Sequence, residues 1–198
     1  MKRILSAAVV LGLLFAAATA SAQYRGGSVL LTLGAGSSFT KLKDSDDQIS
    51  GTAAGMTLEK VLAGGKATMG FTLYWLSAGD DVTLEGDTTT SPVSYSSTPF
   101  AITGRWNFLN SRFAANIGLG LGFYTSKLFL YEGTTEQRQI SESGMSISVP
   151  IGVAYFLDPD MYLQVSYVPA VMTATTVSED LAHTVVLVAG FQWGGNKD

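Results

Sequence analysis

Residues 113–124 read Phe113-Ala114-Ala115-Asn116-Ile117-Gly118-Leu119-Gly120-Leu121-Gly122-Phe123-Tyr124. Phe113, Ala115, Ile117, Leu119, Leu121 and Phe123 fall on one side of an extended chain. Ala114, Asn116, three glycines and Tyr124 fall on the other. A period of two is the mark of a strand whose two faces meet different surroundings. The pattern recurs downstream. Met145, Ile147, Val149, Ile151, Val153 and Tyr155 alternate with Gly144, Ser146, Ser148, Pro150, Gly152 and Ala154. Val185, Leu187, Ala189, Phe191 and Trp193 alternate with Thr184, Val186, Val188, Gly190 and Gln192. Eight such segments are predicted, near 28–38, 50–61, 67–78, 99–109, 112–125, 143–156, 161–172 and 183–193. No helix-spaced apolar stripe competes with them.

The connections alternate in length. Leu62-Ala63-Gly64-Gly65, Asn110-Ser111 and Asp158-Pro159-Asp160 are tight and carry turn-forming residues. The segments 39–49, 79–98, 126–142 and 173–182 are longer and polar. They hold twelve of the sixteen acidic residues: Asp44, Asp46, Asp47, Asp80, Asp81, Glu85, Asp87, Glu132, Glu136, Glu142, Glu179 and Asp180.

Composition narrows the surroundings of these strands. Of the 198 residues 46% are hydrophobic, only 14% are charged, 22 are glycine and none is cysteine. That excludes disorder, a disulfide scaffold and a cysteine-based zinc site. The formal charge of −4 argues against nucleic acid as a partner. Part of the hydropathy belongs to residues 1–22. Lys2 and Arg3 precede an apolar stretch from Ile4 to Ala18, and Ala20-Ser21-Ala22 ends it, the three parts of a secretory signal peptide. Its removal leaves residues 23–198 as a single domain. The 12 basic residues then fall to 10 against 16 acidic ones, a formal charge of −6.

A soluble barrel turns a charged face to water. Here the less apolar face is Gly, Ala, Ser and Thr, which suits a tightly filled interior. The large apolar face suits lipid. A sheet in lipid must close on itself, because hydrocarbon satisfies no free strand edge. The aromatics of the apolar face gather at strand ends, as interfacial belts do. Trp106, Phe108, Phe113, Tyr155, Phe191 and Trp193 lie toward the tight turns; Phe39, Trp75, Phe100 and Phe123 lie toward the long loops.

In these features the chain resembles the small eight-stranded bacterial outer-membrane β-barrels, the OmpA/OmpX-like group. The resemblance rests on the leader, the eight two-faced strands, the alternation of turn lengths and Phe191-Gln192-Trp193 near the end. It implies an all-β, antiparallel, up-and-down transmembrane barrel with short turns and both mature termini in the periplasm. It also implies outer-membrane lipid and lipopolysaccharide as surroundings, and the outer-membrane assembly machinery as a partner. Members usually end on an aromatic residue, whereas Trp193 is followed here by Gly194-Gly195-Asn196-Lys197-Asp198.

No catalytic or cofactor motif stands out. Gly118-Leu119-Gly120-Leu121-Gly122 lacks the spacing of a dinucleotide loop, and Gly64-Gly65-Lys66-Ala67 lacks the Ser/Thr of a phosphate loop. The acidic loops match no calcium loop. His183, the one histidine, has Glu179, Asp180 and Thr184 near it in sequence but no serine in a recognisable pairing. By parity Glu59, Arg105, Asn107, Arg112, Asn116, Gln164 and Gln192 face inward near the tight-turn end. Eight strands leave only room that side chains fill. A buried charge needs a partner, so Glu59 is expected to pair with Arg105 or Arg112 in a polar plug. The expected function is that of a non-enzymatic envelope protein without cofactor or metal, acting through its outer loops in adhesion, in binding a partner such as an extracellular ligand, or in envelope integrity. A narrow passive pore, a lipid-modifying enzyme and a soluble periplasmic binding barrel are the alternatives.

Overall fold

The computed structural model describes residues 23–42, 48–83, 90–110, 112–131, 134–173 and 178–195. Residues 1–22, the expected leader, lie outside them, as do Asp44, Asp46, Asp47, Glu85, Asp87 and Glu132; so do the side chains of Glu179 and Asp180. Nine strands follow in order: β1 Ser28–Leu42, β2 Gln48–Val61, β3 Ala67–Thr83, β4 Thr90–Asn110, β5 Phe113–Leu130, β6 Arg138–Ser148, β7 Ile151–Phe156, β8 Met161–Met172 and β9 Ser178–Gly194. Every pairing is antiparallel. β1 to β5 pair in sequence, β5 pairs with both β6 and β7, those two pair with β8, and β8 pairs with β9. β9 then pairs with β1, Val29 opposite Trp193 and Phe39 opposite His183, and this seam closes the sheet. The ring has eight staves because β6 and β7 form one, split at Val149-Pro150.

The split has a simple cause. Pro150 has no N–H for the ladder. The neighbouring groups re-form it: the Gly118 N–H donates to the Pro150 carbonyl at 2.8 Å, and the Val149 N–H to the Pro169 carbonyl at 3.0 Å.

The outer wall is apolar and uncovered. Leu33, Phe71, Ile102, Leu119, Val165 and Leu187 are each about half exposed. Soluble monomers rarely show water a large continuous apolar patch, whereas lipid takes one without cost. Its height is legible in three places. Val29 to Phe39 on β1, Phe113 to Phe123 on β5 and Trp193 to His183 on β9 are each ten residues apart. At about 3.3 Å per residue and a tilt of about 40°, ten residues rise about 25 Å, the height of the apolar band of a membrane barrel.

The staves run further than the sequence pattern predicts. The segments 79–98 and 126–142, read as loops, are largely strand: β3 has 17 residues, β4 has 21 and β5 has 18, against about 9–11 for a crossing. The alternation continues, but its phase reverses at the edge of the apolar band. Below it Met69, Phe71 and Trp75 point out; above it Leu76, Ala78 and Val82 point in and are buried. Val93, Tyr95 and Leu128 make the same switch, and with Ile49 they form a small apolar core inside the protruding wall. Ser77, Ser96, Lys127 and Ser141 face out there. β3 to β6 therefore carry two adjoining hairpins past the band, a blade built with water-soluble polarity on a barrel built with membrane polarity.

Candidate functional site

The lumen is packed in layers from the tight-turn end. Lowest is the segment before β1, whose role the sequence reading missed. Tyr24 is buried beneath the barrel and meets Phe156 and Tyr162 edge-on, with ring centroids 5.1 and 5.6 Å away. Leu30, Val61, Ala114 and Ala154 complete this cluster. Tyr162 lies across Gly190, its register partner on β9; a Cβ on Gly190 would overlap the ring. Here the glycine is needed for the close approach of an aromatic, and the lumen is filled by one large side chain against none.

Gln192 ties this layer together. Its Nε2 donates to the carbonyls of Gln23 and Pro159, both at 3.1 Å, and its Oε1 accepts from the Arg25 N–H at 3.1 Å. Arg25 also pairs with Asp160 at 2.5 Å. One side chain of the last strand thus holds both the segment before β1 and the β7–β8 turn, across the seam. Truncating Tyr24 to alanine is expected to cost about 3 kcal/mol or more of unfolding free energy, as for other buried aromatics. Tyr24→Phe, which loses only the hydroxyl, should cost about 1 kcal/mol. Urea titration of the refolded barrel in vesicles measures both.

The next layer holds the charges. Glu59 on β2 and Arg105 on β4 are 3% and 8% exposed, and Arg105 Nε lies 3.2 Å from Glu59 Oε1. Neither of these two atoms has an aligned hydrogen-bond partner, so the contact is an ion pair held by charge. Gly70 lies between them in the sheet, opposite Glu59, where a Cβ would overlap the Leu58 carbonyl oxygen. Asn116 donates to Gln164 at 3.4 Å, and Gln164 accepts from the Tyr24 hydroxyl at 3.3 Å. Above them runs a ladder of hydroxyls, Thr57 to Thr72 at 3.2 Å and Thr72 to Thr103 at 2.6 Å.

Two of the seven residues assigned by parity have other duties. Asn107 is buried but donates to the Gly65 carbonyl at 2.9 Å, holding the 3-10 turn between β2 and β3. Arg112 does not face the lumen. It precedes β5 in the turn, where strand parity no longer sets direction, and its guanidinium lies 5.2 Å from the centroid of the Tyr155 ring. Glu59 therefore has Arg105 as its partner, not Arg112.

Among the described residues two small cavities lie in the lumen. One cavity of about 30 Å³ lies between Arg105, Thr72, Ser148 and Met172; another of about 10 Å³ adjoins Arg105, Tyr74 and Gln164. A single water needs about 10–15 Å³. Arg105 and Tyr74 border both spaces.

The aromatics of the outer wall lie toward the strand ends. Trp106, Phe108, Phe191 and Trp193 are exposed at the tight-turn boundary, and the Phe113 ring lies tilted by 49° against Tyr155, with centroids 4.9 Å apart. At the other boundary Trp75, Phe100 and Phe123 are exposed, Phe100 lies parallel to Phe71 at 5.9 Å, and Phe39 is half-buried. His183 also faces outward. Its Nδ1 is 2.6 Å from the Tyr167 hydroxyl. Among the described residues no three His, Asp or Glu side chains converge on a point that could hold a metal.

An eight-stave closed barrel with an apolar outer band, aromatic edges and a polar filled interior defines the class: it is the fold of the small outer-membrane β-barrels. Solved structures agree. Ail, the attachment invasion locus protein of Yersinia pestis, superposes with a TM-score of 0.52 at 13% identity, over 85% of this chain and 99% of that one. It has also been solved with the heparin analogue sucrose octasulfate. Neisserial surface protein A gives 0.58 at 12% identity, over 85% and 98%. A major outer membrane protein from Thermus thermophilus gives 0.53 at 12%, over 83% and 99%. No protein-family model and no curated protein matches at the sequence level, so the likeness is one of fold.

Proposed function

We propose that this protein is a closed outer-membrane barrel that works without catalysis, presenting the β3–β6 blade and its acidic loops to partners outside the cell. The observation that carries this is the division of labour along the staves: the tight-turn end of the lumen is packed with side chains, while the blade continues past the band with its own apolar core. A wall that only had to cross the bilayer would end at the band.

The acidic loops suggest the partner's charge. Asp80, Asp81 and Glu136 are exposed on or beside the blade, and the loops around them add more carboxylates. Such a rim repels polyanions at low salt. A neutral or basic surface fits it better than the sulfated ligand seen on Ail.

Because the chain has no cysteine, single cysteines test the orientation cleanly. Thr135→Cys, in the loop between β5 and β6, should react on intact cells with a maleimide too bulky to cross the outer membrane. Lys66→Cys, in the β2–β3 turn, should react only after permeabilisation. The reverse pattern would overturn the proposed orientation. Planar-bilayer recordings should show no large, stable conductance steps, and their presence would favour a pore. His183→Ala should leave lipid A and peptide processing unchanged, and a change in either would restore the enzymatic alternative.

A further inference from the structure

We propose that Tyr167 and His183 form a binding site on the outer wall for the phosphate of an anionic lipid head group, at the blade-side boundary of the membrane. The proposal rests on the membrane reading above and adds a ligand to it.

Height comes first. His183 stands ten residues beyond Trp193 on β9 and opposite Phe39 on β1, so it lies about 25 Å above the tight-turn belt, where hydrocarbon gives way to head groups. Val185 and Leu187 below it face lipid. The pair is built. The Tyr167 and His183 rings are parallel within 8°, with centroids 5.8 Å apart and the hydroxyl 2.6 Å from Nδ1.

Proton counting then fixes what the pair offers. A neutral imidazole has one N–H and a phenol has one O–H. Their mutual hydrogen bond uses one of these two donors. If the phenol donates to Nδ1, the ring proton is on Nε2; if Nδ1–H donates, the phenol proton is left over. A protonated ring leaves more. In each state at least one donor is not used within the pair. Hydrocarbon cannot accept it, and the register neighbours Phe39 and Pro169 are apolar side chains. Head-group oxygens lie at this height and can accept it. Lys41, two residues beyond Phe39 on the outward row of β1, brings a positive charge to the same boundary, and a charge-assisted bond to an anionic phosphate is the stronger kind.

His183 is the only histidine, so full-length barrel labelled with nitrogen-15 histidine gives one pair of ring signals. In phosphate-free maltoside micelles these are followed while lipid A, with phosphate on a sugar, or phosphatidylglycerol, with phosphate on glycerol, is added. The expected result is a saturable shift of the ring signals with one or both lipids, the lipid acting at the lower ratio being the better ligand. Tyr167→Phe should weaken the shift, and so should Lys41→Gln. Ring signals that stay put with both lipids would overturn the proposal. With carbon-13 leucine methyls added to the labelling, a spin label in the micelle core reads insertion in the same sample. If it broadens the Leu119 methyl signals while His183 stays silent, the site fails and the membrane reading stands; if Leu119 is untouched, the membrane reading fails.

Discussion

Replacing Glu59 with leucine is expected to remove about 3–5 kcal/mol from the unfolding free energy, and a second change, Arg105→Leu, is expected to give most of it back. The first figure is the usual consequence of leaving one member of a buried ion pair without the other. Here the surroundings make it hard to avoid. Arg105 is 8% exposed and lies between two cavities with room for only a few waters. Its Nε has only the Glu59 charge beside it, and Gly70, opposite Glu59, has no side chain to substitute. The recovery in the double variant follows because an apolar pair of similar volume removes both desolvation penalties. Urea unfolding in vesicles, followed by Trp75, Trp106 and Trp193, reports the transition. All three indoles lie on the outer wall and lose their lipid surroundings when the barrel opens. Additive single effects, with no recovery in the double, would show that the two charges are not coupled.

Parity carried the sequence reading as far as it went. Leu119 and Gly120 had to face opposite ways, and the structure puts one half exposed on the wall and the other buried in the lumen. The same rule brought Glu59, Arg105, Asn116, Gln164 and Gln192 inward, because each sits within a strand. It failed for Arg112, which lies in a turn. Tyr24 was invisible to it as well, since the segment before β1 has no period, and only tertiary contact with Phe156 and Tyr162 gives it a place. The protruding wall was misread for a different reason. At Leu76 and Val93 the apolar residues change sides as the solvent outside changes from lipid to water. A reading that demands one constant apolar face takes that reversal for a loop. The signal was present: Ala78 and Val82, and Val93 and Tyr95, keep even spacing through the polar segment. Pro150 shows the opposite case, in which an unbroken period concealed a break in hydrogen bonding.

An arginine in place of Leu119 should destabilise the inserted barrel by about 2–4 kcal/mol, the cost of a cation on the lipid face near the bilayer midplane. Leu119 is 52% exposed on the outer wall and lies between Phe113 and Phe123, the two aromatic edges of its own strand. Ile151, also on the wall at 44% exposure, should behave alike. Ser148→Arg supplies the contrast. Ser148 faces the lumen and borders the cavity of about 30 Å³ that Arg105 also borders, so a new guanidinium there meets crowding and a like charge instead of hydrocarbon. The two costs have different origins and respond to different conditions. A thinner bilayer brings the head groups closer to residue 119 and should lessen the first, whereas the second is set inside the barrel and should not change. Measuring both variants in short-chain and long-chain vesicles therefore distinguishes wall from lumen. If thickness altered both equally, the assignment of the two faces would be wrong. With it would go the argument that lipid, rather than water, surrounds the band.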